Sequence, residues 1–121
     1  MPERPLTPFE VEVKIRHLMR DLESTLDELA AATERRAQAQ AAWDVAYLTA
    51  YEGQRHSGAR SSEKDRDNAA KLASVEQRTE LLLADGLVDV LRAKQGAMRD
   101  ELSACQTLAK FVADEAGMGR R

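Results

Sequence analysis

The sequence predicts an all-α protein: two long antiparallel helices, a helical hairpin of coiled-coil type, completed by oligomerisation into a helical bundle. Two long segments repeat apolar residues every third or fourth position, and one glycine- and serine-rich stretch separates them. Charged residues make up 32% of the 121 residues and aromatic residues only 4%. This composition is typical of long helices, and the length fits a single helical domain, 1–121.

The first helix is predicted over residues 8–52. Thr7 is a good N-cap, Pro8 suits the first helical position, and Glu10 completes a capping box. The spacing of the apolar stripe averages somewhat above 3.6 residues, so we expect nearly straight or slightly right-handed packing rather than a left-handed coiled coil. The stripe consists of Ile15, Leu18, Leu22, Leu26, Leu29, Thr33, Ala37, Ala41, Val45 and Leu48.

A loop is predicted over 53–61 and a second helix over 62–116, with Ser62 as N-cap. The wider apolar face of the second helix indicates contact with more than one neighbour. Asp85-Gly86 leaves three alternatives open: a continuous helix, which we favour, a kink or short break near 86, or a β-hairpin turn. Gly117 is predicted to follow the last turn.

Two helices alone shield each apolar stripe on one side only, so we expect the chain to bind itself as a dimer or tetramer. The orientation of the copies stays open. The residues predicted to hold the oligomer are Leu18, Leu22, Leu26, Leu29, Leu83, Leu87, Val90 and Leu108.

The sequence contains no pattern that indicates an enzyme, a cofactor site or a metal site. His17 and His56 lack metal-ligand spacing, and no glycine-rich phosphate loop is present. Cys105 is the only cysteine, and we interpret it as a buried, inert thiol. A net charge of −3, no signal peptide and no apolar run of membrane-spanning length together predict a soluble, cytoplasmic protein.

Aromatic residues at a spacing of four mark one edge of the first helix beside the loop: Trp43, Tyr47 and Tyr51. We favour their packing against Ala69, Leu72 and Val75 of the second helix. If they are exposed instead, they form a recognition surface. The predicted partner-binding residues are Trp43, Tyr47, Tyr51, Arg55, His56 and Arg60.

The middle third of the chain, AAWDVAYLTAYEG followed by SSEKDRDNAAK, resembles small helical proteins encoded in the early regions of actinobacterial phages. The loop from Gln54 to Ser61 is longer than in that pattern. The resemblance implies no catalytic residues, an accessory role in phage DNA metabolism or host takeover, and the host-cell cytoplasm as location. The matching residues are Ala46, Tyr47, Leu48, Gly53, Arg66, Ala69 and Ala70.

From these features we expect a non-enzymatic, homo-oligomeric helical scaffold or adaptor that binds an unidentified protein partner. The alternative is a nucleic-acid-binding accessory protein of phage replication or recombination. It would use the aromatic edge and a basic cluster near the loop, formed by Arg55, Arg60, Lys64 and Arg66. The acidic net charge makes nucleic acid the less favoured partner.

Overall fold

The computed structural model describes residues 6–55 and 62–118, and these residues are almost entirely helical. The helices are α1 (Pro8–Arg55), α2 (Glu63–Ala73) and α3 (Val75–Met118). The prediction of an all-α fold is confirmed. α1 ends three residues later than predicted, and the predicted second helix is divided into α2 and α3, the latter extending past Gly117.

Both predicted helix starts are built as capping boxes. In α1 the Thr7 Oγ1 accepts a hydrogen bond from the Glu10 amide at 3.2 Å, and the Thr7 amide donates to Glu10 Oε2 at 3.1 Å. In α2 the Ser62 Oγ accepts from the Asp65 amide at 3.1 Å. These bonds satisfy amides that the first helical turn leaves without a partner, which is why these sequence signals place the boundaries well.

The favoured prediction of a continuous helix through Asp85-Gly86 is confirmed, and the interruption of the second segment lies at Ser74 instead. α3 runs through Asp85 and Gly86 without a break. Ser74 has φ −109° and ψ 18°, and both its amide and its hydroxyl donate to the Ala70 carbonyl, at 3.1 and 2.7 Å. Thr25 and Thr33 form the same type of hydroxyl bond inside α1 without a break, so the bond at Ser74 accompanies the interruption and does not by itself cause it. Gly86 loosens a helix only through entropy, which packing offsets.

The chain folds as two compact units. Unit 1 contains residues 1–28 and 91–121, and unit 2 contains residues 29–90. Within unit 1, Lys14 Nζ lies 3.7 Å from Glu101 Oε1, and the hydroxyl of the fully buried Thr25 lies 3.2 Å from the Met98 sulfur. The residue farther along α1 therefore contacts the residue that comes earlier in α3, so these segments are antiparallel.

Unit 2 is also antiparallel. Arg36 Nε lies 2.6 Å from Asp85 Oδ1, the Trp43 ring contacts Arg78, and the Tyr47 hydroxyl bonds to Asp67. Residues farther along α1 therefore contact residues that come progressively earlier in the second segment. The end of α1 thus packs against α2 and the first turns of α3. Ala70 and Ser74 are fully buried there, since small side chains allow the backbones to approach closely.

Burial along α1 follows a stricter repeat than predicted. Most of the buried or half-buried residues follow one another at alternating steps of three and four residues. Arg36 occupies one position of this repeat but is exposed. Six residues of the predicted stripe are exposed instead: Leu26, Thr33, Ala37, Ala41, Val45 and Leu48. Such a heptad pattern keeps one row of side chains, which we call the seam, facing one partner helix. An average spacing above 3.6 residues would rotate this row away from the partner. The expectation of a non-heptad stripe is therefore wrong. The seam positions are Val11, Ile15, Leu18, Leu22, Thr25, Leu29, Ala32, Ala39, Trp43, Ala46 and Ala50.

The same repeat continues across α2 and α3. Most buried and half-buried positions again alternate steps of four and three, and the Ser74 interruption does not shift the register. Several seam positions are polar or small, so the seam buries little apolar area per turn. These positions are Ala70, Ser74, Gln77, Leu81, Ala84, Val88, Leu91, Gln95, Met98, Leu102, Cys105, Ala109 and Val112.

Large apolar side chains are more often exposed than buried in the described residues. Only five of them, two valines and three leucines, lie in the buried core, whereas fourteen are exposed. Single exposed leucines are normal on protein surfaces, but a periodic series is not. No described helix is long and apolar enough to cross a membrane.

The run Leu81-Leu82-Leu83 offers a stability test with a built-in control. Leu81 is 6% exposed and Leu82 is 57% exposed. We expect Leu81→Ala to lower the free energy of unfolding by about 2–4 kcal/mol, because it leaves a cavity in the seam. Leu82→Ala should change that free energy by less than about 0.5 kcal/mol. Chemical denaturation followed by circular dichroism measures both, and equal losses would contradict the assigned seam.

Candidate recognition groove

The three aromatic side chains of α1 form a continuous ladder within unit 2. The ring centroids of Trp43 and Tyr47 are 5.8 Å apart, and those of Tyr47 and Tyr51 are 6.2 Å apart. The spacing of four residues places the rings on adjacent turns of the helix, where they can touch. All three side chains are half-buried. The ladder is therefore neither fully core nor fully exposed.

The middle ring of the ladder is held by a polar network. The Tyr47 hydroxyl donates a short hydrogen bond to Asp67 Oδ1, and Lys71 Nζ lies 3.0 Å from Asp67 Oδ2. This hydrogen bond raises the pKa of Tyr47 above its ordinary value of 10.0, with partial burial and the charge of Asp67 adding to the effect. The same bond, and then Lys71, lowers the pKa of Asp67 below 3.8. The network ties α1 to α2.

The Trp43 ring is covered by a cation rather than by aliphatic packing. The guanidinium carbon of Arg78 lies 5.2 Å from the ring centroid, within the range of a cation–π contact. Leu72, one of the residues predicted to pack on the ladder, is 77% exposed, and Val75 is also exposed. Packing of Leu72 and Val75 as core residues is therefore wrong, because the seam on this side runs through Ala70 and Ser74.

Together these residues line an open groove of about 780 Å³. We call it the aromatic groove, and it is lined by Trp43, Tyr47, Asp67, Asn68, Lys71, Leu72, Val75 and Arg78. The groove combines exposed aliphatic side chains with two cations, and the Trp43 indole nitrogen has no hydrogen-bond partner among the described residues. Such a surface can bind an apolar segment that carries polar groups.

The described residues contain no group of three or more side chains that could hold a metal ion. The aromatic groove brings together no nucleophile and base within hydrogen-bonding distance in the manner of a catalytic pair. Its close titratable groups, Tyr47, Asp67 and Lys71, form the network that ties α1 to α2.

The structure brings only part of the predicted recognition surface together. Trp43, Tyr47 and Tyr51 lie side by side, and Arg55 is the last residue of α1, but its side chain is outside the described residues. His56 and Arg60 also lie outside the described residues.

The predicted oligomer residues separate into two groups. Leu18, Leu22 and Leu29 belong to the seam within the chain, so they are already occupied there. The other five are exposed and remain accessible: Leu26, Leu83, Leu87, Val90 and Leu108.

Sequence reasoning missed Asp67, Lys71 and Arg78 as neighbours of the aromatic ladder. Their contacts with the ladder depend on the register between α1 and the segments opposite it. The spacing of Asp67 and Lys71, four residues apart on α2, was the one available signal, since it favours an ion pair along a helix.

The pKa of Tyr47 can be tested directly in a Tyr51→Phe background, which leaves it as the only tyrosine. We expect its phenolate absorbance to titrate above pH 10 and to return toward about 10 when Asp67→Asn removes the charged acceptor. Glu76→Gln, which removes an exposed carboxyl elsewhere on unit 2, should leave the midpoint in place. Identical midpoints with and without Asp67 would contradict the hydrogen bond.

The same shifts predict a pH dependence of stability. The pKa of folded Asp67 is lowered, so its contribution is present above the unfolded-state pKa and is lost as pH falls through the folded pKa. The pKa of folded Tyr47 is raised, so its contribution is present below the ordinary pKa and is lost as pH rises through the raised one.

Comparison with known proteins adds no relative to this picture. No protein-family model matches the chain, and comparisons with curated proteins and with solved structures find no significant similarity. The resemblance to phage helical proteins stays a prediction.

Proposed function

We propose that this protein is a non-enzymatic helical scaffold or adaptor that associates with itself and binds a protein partner at the aromatic groove. The observation that carries the proposal is the periodic exposure of large aliphatic side chains on α3, including Leu83, Leu87 and Val90. A helix that is apolar on two faces needs two neighbours. Among the described residues, α3 has α1 on one face only.

Self-association fits the small size of the seam. Four of the nine buried hydrophobic residues are alanine or cysteine, and small side chains release little free energy on burial. A second copy that covers the exposed stripe would add leucine and valine burial at about 25 cal/mol per Å² of apolar area. Four-helix packing of two such chains is the simplest closed arrangement.

The aromatic groove supports the second part of the proposal. Leu72 and Val75 provide an apolar floor, and Lys71 and Arg78 provide positive charge at its edges. These features favour a protein segment that presents an apolar side chain beside a carboxylate. The Arg78 guanidinium would form an ion pair with the partner's carboxylate, either in place of its contact with the Trp43 ring or in addition to it.

Nucleic acid fits the groove less well. Stacking of a base requires an open aromatic face, but Arg78 covers Trp43 and Asp67 bonds to Tyr47. Of the basic cluster, Lys64 and Arg66 lie in α2, whereas Arg60 and the side chain of Arg55 are outside the described residues, so the alternative function is decided by measurement.

The oligomer test is solution mass by light scattering on a sizing column. We expect a defined dimer or tetramer that Leu87→Glu dissociates, because a buried carboxylate without a partner is costly in an apolar interface. Leu82→Glu is the matched control on the same helix, and it should keep the mass of the wild type. A folded wild-type monomer at micromolar concentration would overturn self-association.

The same column separates the two functions. A short single-stranded oligonucleotide should leave the mass unchanged. A mass shift that is lost at high salt, and that Arg55→Glu with Arg60→Glu abolishes, would establish the nucleic-acid alternative instead.

The groove test uses a purified partner. Any protein that coprecipitates with the chain should, once purified, bind Leu72→Asp at least about tenfold more weakly than wild type, which corresponds to roughly 1.4 kcal/mol. Leu82→Asp should bind within about twofold. The sole tryptophan lines the groove, so its fluorescence follows binding. Equal affinities of all three proteins would place the partner elsewhere.

A further inference from the structure

The exposed apolar face of α3 has a repeat of its own, distinct from the seam with α1. Leu83, Leu87 and Val90 are spaced by four and three residues, and Leu108 and Phe111 continue the same series farther along the helix. All five are exposed, Leu83, Val90 and Phe111 by about two thirds. The alternation of three and four is the spacing of a coiled-coil seam. α3 therefore carries a second seam that the described residues of the chain do not cover.

Between its two apolar ends this second seam contains two alanines and two charges. Lys94, Ala97, Glu101 and Ala104 occupy the intermediate positions of the repeat, and all are exposed. Lys94 and Glu101 are seven residues apart, or about 10 Å along the axis at about 1.5 Å per residue, so they are too distant to pair with each other. Glu101 has a long contact of 3.7 Å with Lys14, in which both side chains stay about half exposed.

The order of these residues is symmetric about Ala97. The lysine precedes Ala97 by three residues and the glutamate follows it by four. If a second α3 lies antiparallel with the two Ala97 residues near each other, each Lys94 comes within reach of Glu101 of the other copy. A parallel arrangement would place lysine beside lysine and glutamate beside glutamate.

We propose that the partner covering this face is a second copy of the chain, bound antiparallel through α3 about a two-fold axis near Ala97, with its register set by two Lys94–Glu101 pairs. This inference rests on the proposed self-association and specifies its geometry. An isologous contact makes every favourable pair twice, which is why two side chains suffice to define orientation. The small residues at the centre allow the two helices to approach closely.

Charge reversal tests the register. Lys94→Glu and Glu101→Lys should each raise the dimer dissociation constant about tenfold, because each creates two like-charged pairs. The double variant Lys94→Glu with Glu101→Lys restores both pairs and should return the constant to within about threefold of wild type. Lys110→Glu makes the same charge change on α3 outside the stripe and should have no effect. Sedimentation equilibrium measures all four.

Spin labels test the orientation. In a Cys105→Ser background, one label at Ala93→Cys lies roughly 12 Å along the axis from its copy in the antiparallel dimer, and one at Thr107→Cys lies roughly 30 Å from its copy. Pulsed electron paramagnetic resonance should give a short distance for the first label and a long one for the second. Short distances at both positions would show a parallel dimer and overturn the proposal.

The outcomes separate this inference from the broader one. A dimer that ignores the charge reversals overturns the register while leaving self-association intact. A wild-type monomer overturns both. Restoration by the double variant supports the antiparallel register, and circular dichroism of each variant shows that its helices remain folded.

Discussion

The heptad seam between α1 and the α2–α3 segment is the constraint on which the rest of the structure depends. Positions spaced by three and four residues keep one face of each helix toward the other. Every other property follows from which residues that spacing selects. It takes Leu18, Leu81 and Leu91 into the core, and it leaves Leu26, Leu83 and others outside.

The two fully buried polar residues of the seam, Thr25 and Ser74, each form a hydrogen bond to the preceding helical turn. Thr25 is fully buried, and its hydroxyl donates to the Asp21 carbonyl at 2.8 Å. Ser74 is fully buried, and its hydroxyl donates to the Ala70 carbonyl. A buried hydroxyl without such a bond would be costly. These polar residues reduce the apolar area of the seam, which increases the importance of the second apolar face of α3.

The aromatic groove arises from the same geometry. The half-buried Trp43 is a seam residue, and Tyr47 and Tyr51 lie one and two turns farther along the same edge. Because the seam opposite them consists of the small residues Ala70 and Ser74, the larger Leu72 and Val75 project outside it. A groove with an apolar floor and charged edges is the result.

The sequence by itself determined the helix class, the capping box at Thr7 and the N-cap at Ser62, because these depend on local bonds. Only the tertiary structure decided that Thr25 rather than Leu26 enters the seam. The predicted stripe and the heptad repeat are both compatible with a single helix, and packing against the partner helix selects the heptad repeat. It likewise decided that Ser74 interrupts the second segment while Gly86 does not. The neighbours of Trp43 and Tyr47 depend on the register between distant segments, which no local signal contains.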